Sequence, residues 1–283
     1  MSYPPERHVL RDLGLVLERS PGAPDRALLP LVPEVRDGAE RVRLGVLATL
    51  VDVVGAGLAL RKIAPDWLAT ADLSVHARDV VPIGPLAGEA RALRSGRTTT
   101  VVEVRLFDEG AARHEVAFAT MSFVRILRPD ATRSLETPTD EVASRFEFAL
   151  PDSGVTRPYP ESLGIRVLDA SRGELELSRT DYTINSFGSL QGGTVASLAE
   201  LAGEVAARAA GHEDGVSSDV AVHYLAQGPR GPYRTVAELL RVRPTLARVE
   251  VHDAGAGELM AVATVGILDA RSSRSSAAGS ARN

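Results

Sequence analysis

The stretch NSFGSLQGGTVASLAELAGE, residues 185–204, is polar and turn-rich in its first half and helix-periodic in its second. Gly192 and Gly193 stand just ahead of the helical pattern, and Glu200 sits inside it among alanines and leucines. Backbone N–H groups at a helix N-terminus stabilise negative charge that develops on an oxygen, and the helix dipole adds to the effect. Glycine at that place lets a reacting group approach without a Cβ in the way. A carboxylate on an apolar helix is costly to ionise unless polar partners support it. Such a carboxylate is a candidate general base or nucleophile.

The same helix occurs earlier in the chain. Residues 45–59, GVLATLVDVVGAGLA, match residues 193–207, GTVASLAELAGEVAA. Gly45, Ala48, Leu50, Gly55 and Ala59 are identical to Gly193, Ala196, Leu198, Gly203 and Ala207, Thr49 faces Ser197, and Asp52 faces Glu200. Upstream, DLGLVLE (12–18) resembles SLGIRVLD (162–169). Downstream, TADLSVH (70–76) aligns with SSDVAVH (217–223), GPL (84–86) with GPY (231–233), VEV (102–104) with VEV (249–251), and AFAT (117–120) with AVAT (261–264). Matches kept in one order over such a span indicate an internal duplication.

Each half therefore reads as a short strand, a polar loop, one long helix and then several strands. Val195, Leu198, Ala199, Ala202, Val205 and Ala206 form the helical stripe in the second half. Alternating segments such as TTTVVEVRLF and RTVAELLRVRP read as strands. One helix against about five antiparallel strands, twice, is an α+β plan. The expected division is an N-terminal domain over 1–127, a linker over 128–160, a C-terminal domain over 161–270 and a disordered tail over 271–283. The linker is rich in Pro, Thr, Asp and Ser, with DEVASRF as a candidate short helix. The tail, RSSRSSAAGSARN, lacks apolar periodicity.

Composition narrows the classes further. The chain has 283 residues, 44% hydrophobic and 24% charged, with a net charge of −5. That charge and the lack of a long basic block disfavour nucleic-acid binding. No run of apolar residues is long enough for a membrane span, and the N-terminus does not read as a secretory signal. The absence of cysteine excludes disulfides, thiolate metal sites and a cysteine nucleophile, and fits a cytoplasmic protein. There is no HExxH pair, GxSxG elbow, phosphate-binding P-loop or GxGxxG fingerprint. His76 and His223 occupy equivalent repeat positions and are read as structural.

The plan resembles the hotdog fold, and the 185–204 motif resembles the phenylacetate-type (PaaI-like) acyl-CoA thioesterases within it. Their signature is an Asn, then His-Gly-Gly, then Asp or Glu in the central helix. Asn185, Gln191-Gly192-Gly193 and Glu200 have that spacing, with Gln in the His place. The resemblance implies two tandem hotdog domains paired as an internal pseudo-dimer, with active sites between the halves. One site would join Asn185, Gln191, Gly192 and Gly193 with Asp52 and Thr70. The other would join Glu200 and Ser217 with the first-half loop, where Asp37, Arg43 and Leu44 replace Asn185, Gln191 and Gly192. The first site is the better equipped.

The implied reaction is hydrolysis of an acyl-CoA to free acid and coenzyme A, with no metal and no cofactor beyond the coenzyme A of the substrate. Asp52 would activate water or attack the thioester itself, with Thr70 and Asn185 positioning the water. Gln191 can donate a hydrogen bond but cannot titrate near neutrality, so no histidine limb is expected in the pH profile. A homo-oligomer of the tandem chain is also expected. The alternative is a non-catalytic acyl-CoA-binding or regulatory module. A hydratase is a third class, but it needs a histidine–carboxylate pair that the sequence does not show.

Overall fold

The computed structural model describes residues 3–64, 66–78, 80–127, 143–240 and 245–269. The N-terminal half runs α1 (Val9–Asp12), β1 (Val16–Arg19), β2 (Asp25–Leu29), α2 (Leu44–Ile63), β3 (Trp67–Ala77), β4 (Leu86–Ser95), β5 (Thr99–Asp108) and β6 (His114–Ile126). After β7 (Ser144–Glu147) the plan starts again. The C-terminal half runs α3 (Tyr159–Leu163), β8 (Arg166–Asp169), β9 (Glu174–Leu177), α4 (Gly192–Ala209), β10 (Gly215–Tyr224), β11 (Tyr233–Leu240), β12 (Thr245–Asp253) and β13 (Glu258–Asp269). Among the described residues each half thus carries six strands rather than about five, plus one extra short helix. The additional strands are short, and pieces such as DRALL and ELEL carry little alternation to mark them.

The described strands form one antiparallel sheet of order β7-β1-β2-β4-β5-β6-β3-β10-β13-β12-β11-β9-β8. The two halves meet at β3 and β10. Ser74 pairs with Ala221, flanked by Asp72 with His223 and His76 with Asp219. Those are repeat-equivalent positions, so a pseudo-two-fold axis passes between Ser74 and Ala221. His223 bonds Asp72 through Nδ1 at 2.5 Å, while His76 stacks on Phe118. Neither histidine lines the cavity described below.

Each long helix packs across the strands of its own half, and the two helices pack on each other. Five of the six predicted stripe residues of α4 are buried, with Leu198, Ala199 and Ala202 fully inaccessible, and Val205 is half-buried. By length and composition alone α2 could cross a bilayer, but 67% of its most apolar window is buried inside the protein. That is the position of a core helix.

The paired helices explain one glycine of the motif differently from the sequence reading. A Cβ on Gly193 would lie 2.1 Å from Thr49 Oγ1 and 2.5 Å from Thr49 Cα. On the repeat-equivalent Gly45 it would lie 2.1 Å from Ser197 Oγ and 2.6 Å from Ser197 Cα. These glycines let two helix backbones touch, so Gly193 is tied to packing as well as to any ligand. Gly193→Ala must push α2 and α4 apart and is expected to cost at least about 1–3 kcal/mol. Urea denaturation checks this; an unchanged midpoint would show that the helices can separate freely.

Part of the composition-defined linker is structured. Ser144–Glu147 pairs antiparallel with Val16–Arg19 at the edge of the sheet, so the helix expected in DEVASRF is replaced by the strand β7 from Ser144. Tyr159 opens α3 and is 1% exposed. Residues 128–142 and the tail 271–283 lie outside the described residues.

Candidate active site

Asp52 lies on α2, between the buried Val51 and Val54, and is partly exposed to a cavity of about 420 Å³. Thr70 reaches it through an irregularity in β3. Leu73 and Val75 face the core, so strict alternation would turn Thr70 away. The register of β3 on β6 slips between Thr70 and Asp72, and this bulge re-aims the preceding side chain. The Thr70 hydroxyl then donates to Asp52 Oδ1 at 3.0 Å. Opposite stands the N-terminus of α4: a Cβ on Gly192 would fall 2.9 Å from Asp52 Oδ2. Asp52, Thr70, Asn185, Gln191 and Gly192 all line the same cavity, which gathers residues from both halves.

The loop ahead of α4 is shaped by Asn185. Its Oδ1 accepts from the amides of Phe187 at 2.9 Å and Ser189 at 3.1 Å. The repeat-equivalent Asp37 holds Ala39 and Arg41 in the same way, at 2.8 and 3.0 Å. Asn185 therefore builds the loop with its oxygen, and only its amide nitrogen is left to address the cavity. Gln191 is the N-cap of α4 and takes the Thr194 hydroxyl on Oε1 at 3.3 Å. Its amide nitrogen has no partner among the described residues, and neither do the backbone amides of Gly192 and Gly193. Tyr224, on β10, donates to the Gly192 carbonyl at 2.9 Å and also lines the cavity. Sequence comparison of the halves could not find Tyr224, because its repeat partner is Ala77.

Burial also governs the electrostatics of Asp52. Burial pushes its carboxyl up to about 6, and the Thr70 hydroxyl opposes that rise. The Tyr224 phenol is raised well above its ordinary value, first by burial and then by the Asp52 charge. Tyr224 is thus a neutral hydroxyl at any ordinary pH. Among the described residues no cluster of His, Asp and Glu could hold a metal.

The equivalent place in the other half is filled. Glu200 is one methylene longer than Asp52, and its carboxylate accepts from the amides of Leu44 at 3.0 Å and Gly45 at 2.9 Å. Those are the counterparts of the open Gly192 and Gly193 amides. Arg43, where the other half has Gln191, stands 3.8 Å from Glu200 and 3.4 Å from Glu204. Glu204 is fully buried where the first half has Ala56. The sequence reading paired Ser217 with Glu200; the structure puts it on Glu204, with the amide and hydroxyl both 3.2 Å from Oε1. Burial, the largest effect, holds the Glu200 carboxyl above its ordinary value against the pull of Arg43 and the two amides, and the Glu204 charge adds to the rise, so a raised carboxyl is common to both halves. This half thus holds an internal carboxylate where the other holds an open amide pair.

Residues 44–113 and 187–252 match the Thioesterase superfamily, one segment in each half. No curated protein matches the sequence. Among solved structures, the chain is similar to an acyl-ACP thioesterase from Bacteroides thetaiotaomicron, with 13% identity and a TM-score of 0.58 over 86% of this chain and 97% of that one. It is also similar to the tesB protein of Mycobacterium avium subsp. paratuberculosis, with 15% identity and a TM-score of 0.57 over 89% and 94%. A third is a hot dog fold protein from Alicyclobacillus acidocaldarius, with 14% identity and a TM-score of 0.55 over 92% and 97%. At such identities the structural likeness establishes the fold. The architecture is two hotdog domains in tandem, each a long helix wrapped by an antiparallel sheet.

Proposed function

We propose that this chain, a tandem hotdog thioester hydrolase by its superfamily match in both halves, hydrolyses acyl-CoA at one site, between α2 and the N-terminus of α4. The observation that carries this is the Gly192 end of α4 standing against Asp52, with the Gly192 and Gly193 amides unpartnered among the described residues, although Gly193 itself is buried against Thr49 and outside the cavity lining. In the other half the same amides are capped by Glu200. The thioester carbonyl oxygen would sit on those amides, with the Gln191 amide nitrogen as a further donor. Asp52 takes a proton from water as the water oxygen bonds to the carbonyl carbon. The carbon–sulfur bond then breaks, and the thiolate leaves with the proton returned by Asp52. Direct attack by the Asp52 carboxylate, giving a mixed anhydride that water opens, uses the same geometry. Thr70 orients the carboxylate in either case. Asn185 would act mainly through the loop it builds, and Ser217 and Glu200 as structural groups. A cytoplasmic setting and a homo-oligomer of the tandem chain belong to the same proposal.

The base must be ionised to work, and a carboxylate half-ionised near pH 6 sets the profile. Thiol release should rise with pH through about 6, reaching a plateau above it, with about a tenth of the plateau one unit below. There should be one ionisation and no histidine limb. Thr70→Val removes a hydrogen bond that favours the charged form, so its midpoint should move upward. The test is a pH–rate profile on an acyl-CoA panel for both proteins; a second acid limb, or an unmoved midpoint in Thr70→Val, would count against Asp52 as the titrating group.

One observation favours a second reading, a binding module without turnover: Gln191 cannot titrate near neutrality. Thermal stabilisation by acyl-CoA esters, with no thiol release from any of them, would select it.

A further inference from the structure

The cavity is lined by polar and apolar groups. Asn185, Ser186 and Ser189 of the loop before α4, with Gln227 after β10, suit an amide-bearing arm such as that of coenzyme A, and Phe187 and Leu190 of the same loop add apolar surface. Along α2 beyond Asp52 the cavity is lined by Val53 and Ala56, the latter one turn further on. Leu17, on β1, faces the same space and pairs with Phe146 on β7. Phe146 meets Phe148 edge to face, with ring centroids 4.8 Å apart, and both line the cavity. The strand β7 has no counterpart at the far edge of the sheet, where β8 is outermost among the described strands. The duplication did not supply this wall. Asp52 is the one charged side chain among the described lining residues. On the other half the place of Ala56 is taken by the buried Glu204.

We infer that the acyl group runs along α2 over Val53 and Ala56 and stops against Leu17 and the Phe146–Phe148 pair, so that the strand between the halves sets the length limit of an uncharged acyl chain. This rests on the acyl-thioester reading for the identity of the ligand. Phe146 and Ala56 are then specificity-determining residues. A carboxylate at the far end of the acyl group would have no cationic partner among the residues lining that end.

The test is binding of non-hydrolysable S-alkyl-CoA thioethers of increasing chain length, by calorimetry, to the wild type, Phe146→Ala and Ala56→Leu. Affinity should climb about fourfold per methylene until the chain meets the wall, then level off. Phe146→Ala should move that limit to longer chains and Ala56→Leu to shorter ones, with the shortest thioethers binding nearly alike to all three. An unmoved limit, a parallel loss at every length, or equally tight binding of an ω-carboxyalkyl-CoA overturns the inference. Thiol release from the matching esters separates the two claims. Hydrolysis with an unmoved limit sinks the wall alone, whereas a moved limit without hydrolysis sinks the proposed reaction alone.

Discussion

Asp52→Asn should lower thiol release from acyl-CoA about 10²–10⁴-fold while leaving the fold and alkyl-CoA binding in place. Asparagine keeps the shape and can still accept from Thr70, which bonds the aspartate at 3.0 Å. It cannot take a proton from water or form an anhydride. Asp52→Glu makes a sharper companion, because it keeps the carboxylate and should still fail. In the opposite half a glutamate at the equivalent position reaches two helix amides at 3.0 and 2.9 Å. The added methylene should carry the substituted carboxylate onto the Gly192 and Gly193 amides in the same way, displacing the carbonyl oxygen. Losing such donors costs about 2.7–4 kcal/mol, or about 10²–10³ in rate. Steady-state thiol release, with circular dichroism as the folding control, decides both. An active Asp52→Asn would remove the proposed base, and an active Asp52→Glu would show that the amide pair is not where the oxygen binds.

Glu200→Ala should do the reverse, lowering stability by about 3–5 kcal/mol and leaving turnover per folded molecule within about twofold. The side chain is buried, holds the Leu44 and Gly45 amides, and stands beside Arg43. Its removal leaves a buried guanidinium with Glu204 as its remaining neighbour here, and two helix amides without this acceptor. Urea unfolding reads the stability, and thiol release from protein shown to be folded reads the turnover. Should Glu200→Ala or Glu200→Gln abolish release at unchanged stability, the working site would be the one in the other half. The pair of experiments therefore assigns the two inter-domain sites independently of any family likeness.

Much of the site is legible in the residues. The duplication, the two long helices and the loop–Gly–Gly–helix–carboxylate spacing are local patterns, and the structure places each at equivalent points about the Ser74–Ala221 axis. The repeat also shows that Asn185, Gln191 and Gly192 have poorer counterparts in Asp37, Arg43 and Leu44. It does not show that Asp37 builds the same loop as Asn185, because that depends on which amides the oxygen meets. Ser217 stands at a bulge equivalent to that of Thr70, yet its partner is Glu204, four residues beyond Glu200 on the same helix.

The α+β plan, the duplication and the set of polar residues brought to the middle of the molecule are all written in the linear order of residues. Periodicity and repetition are properties of near neighbours, so the chain carries them before it folds. Other features exist only after folding: Gly193 making room for Thr49, Tyr224 and the Phe146–Phe148 pair lining the cavity, and one carboxylate facing an open helix end while its counterpart seals the other. What separates the two groups is reach. Aspartate and glutamate are chemically alike in a sequence, and a single methylene changes which amides the carboxylate can touch only once two helices are held at a fixed separation.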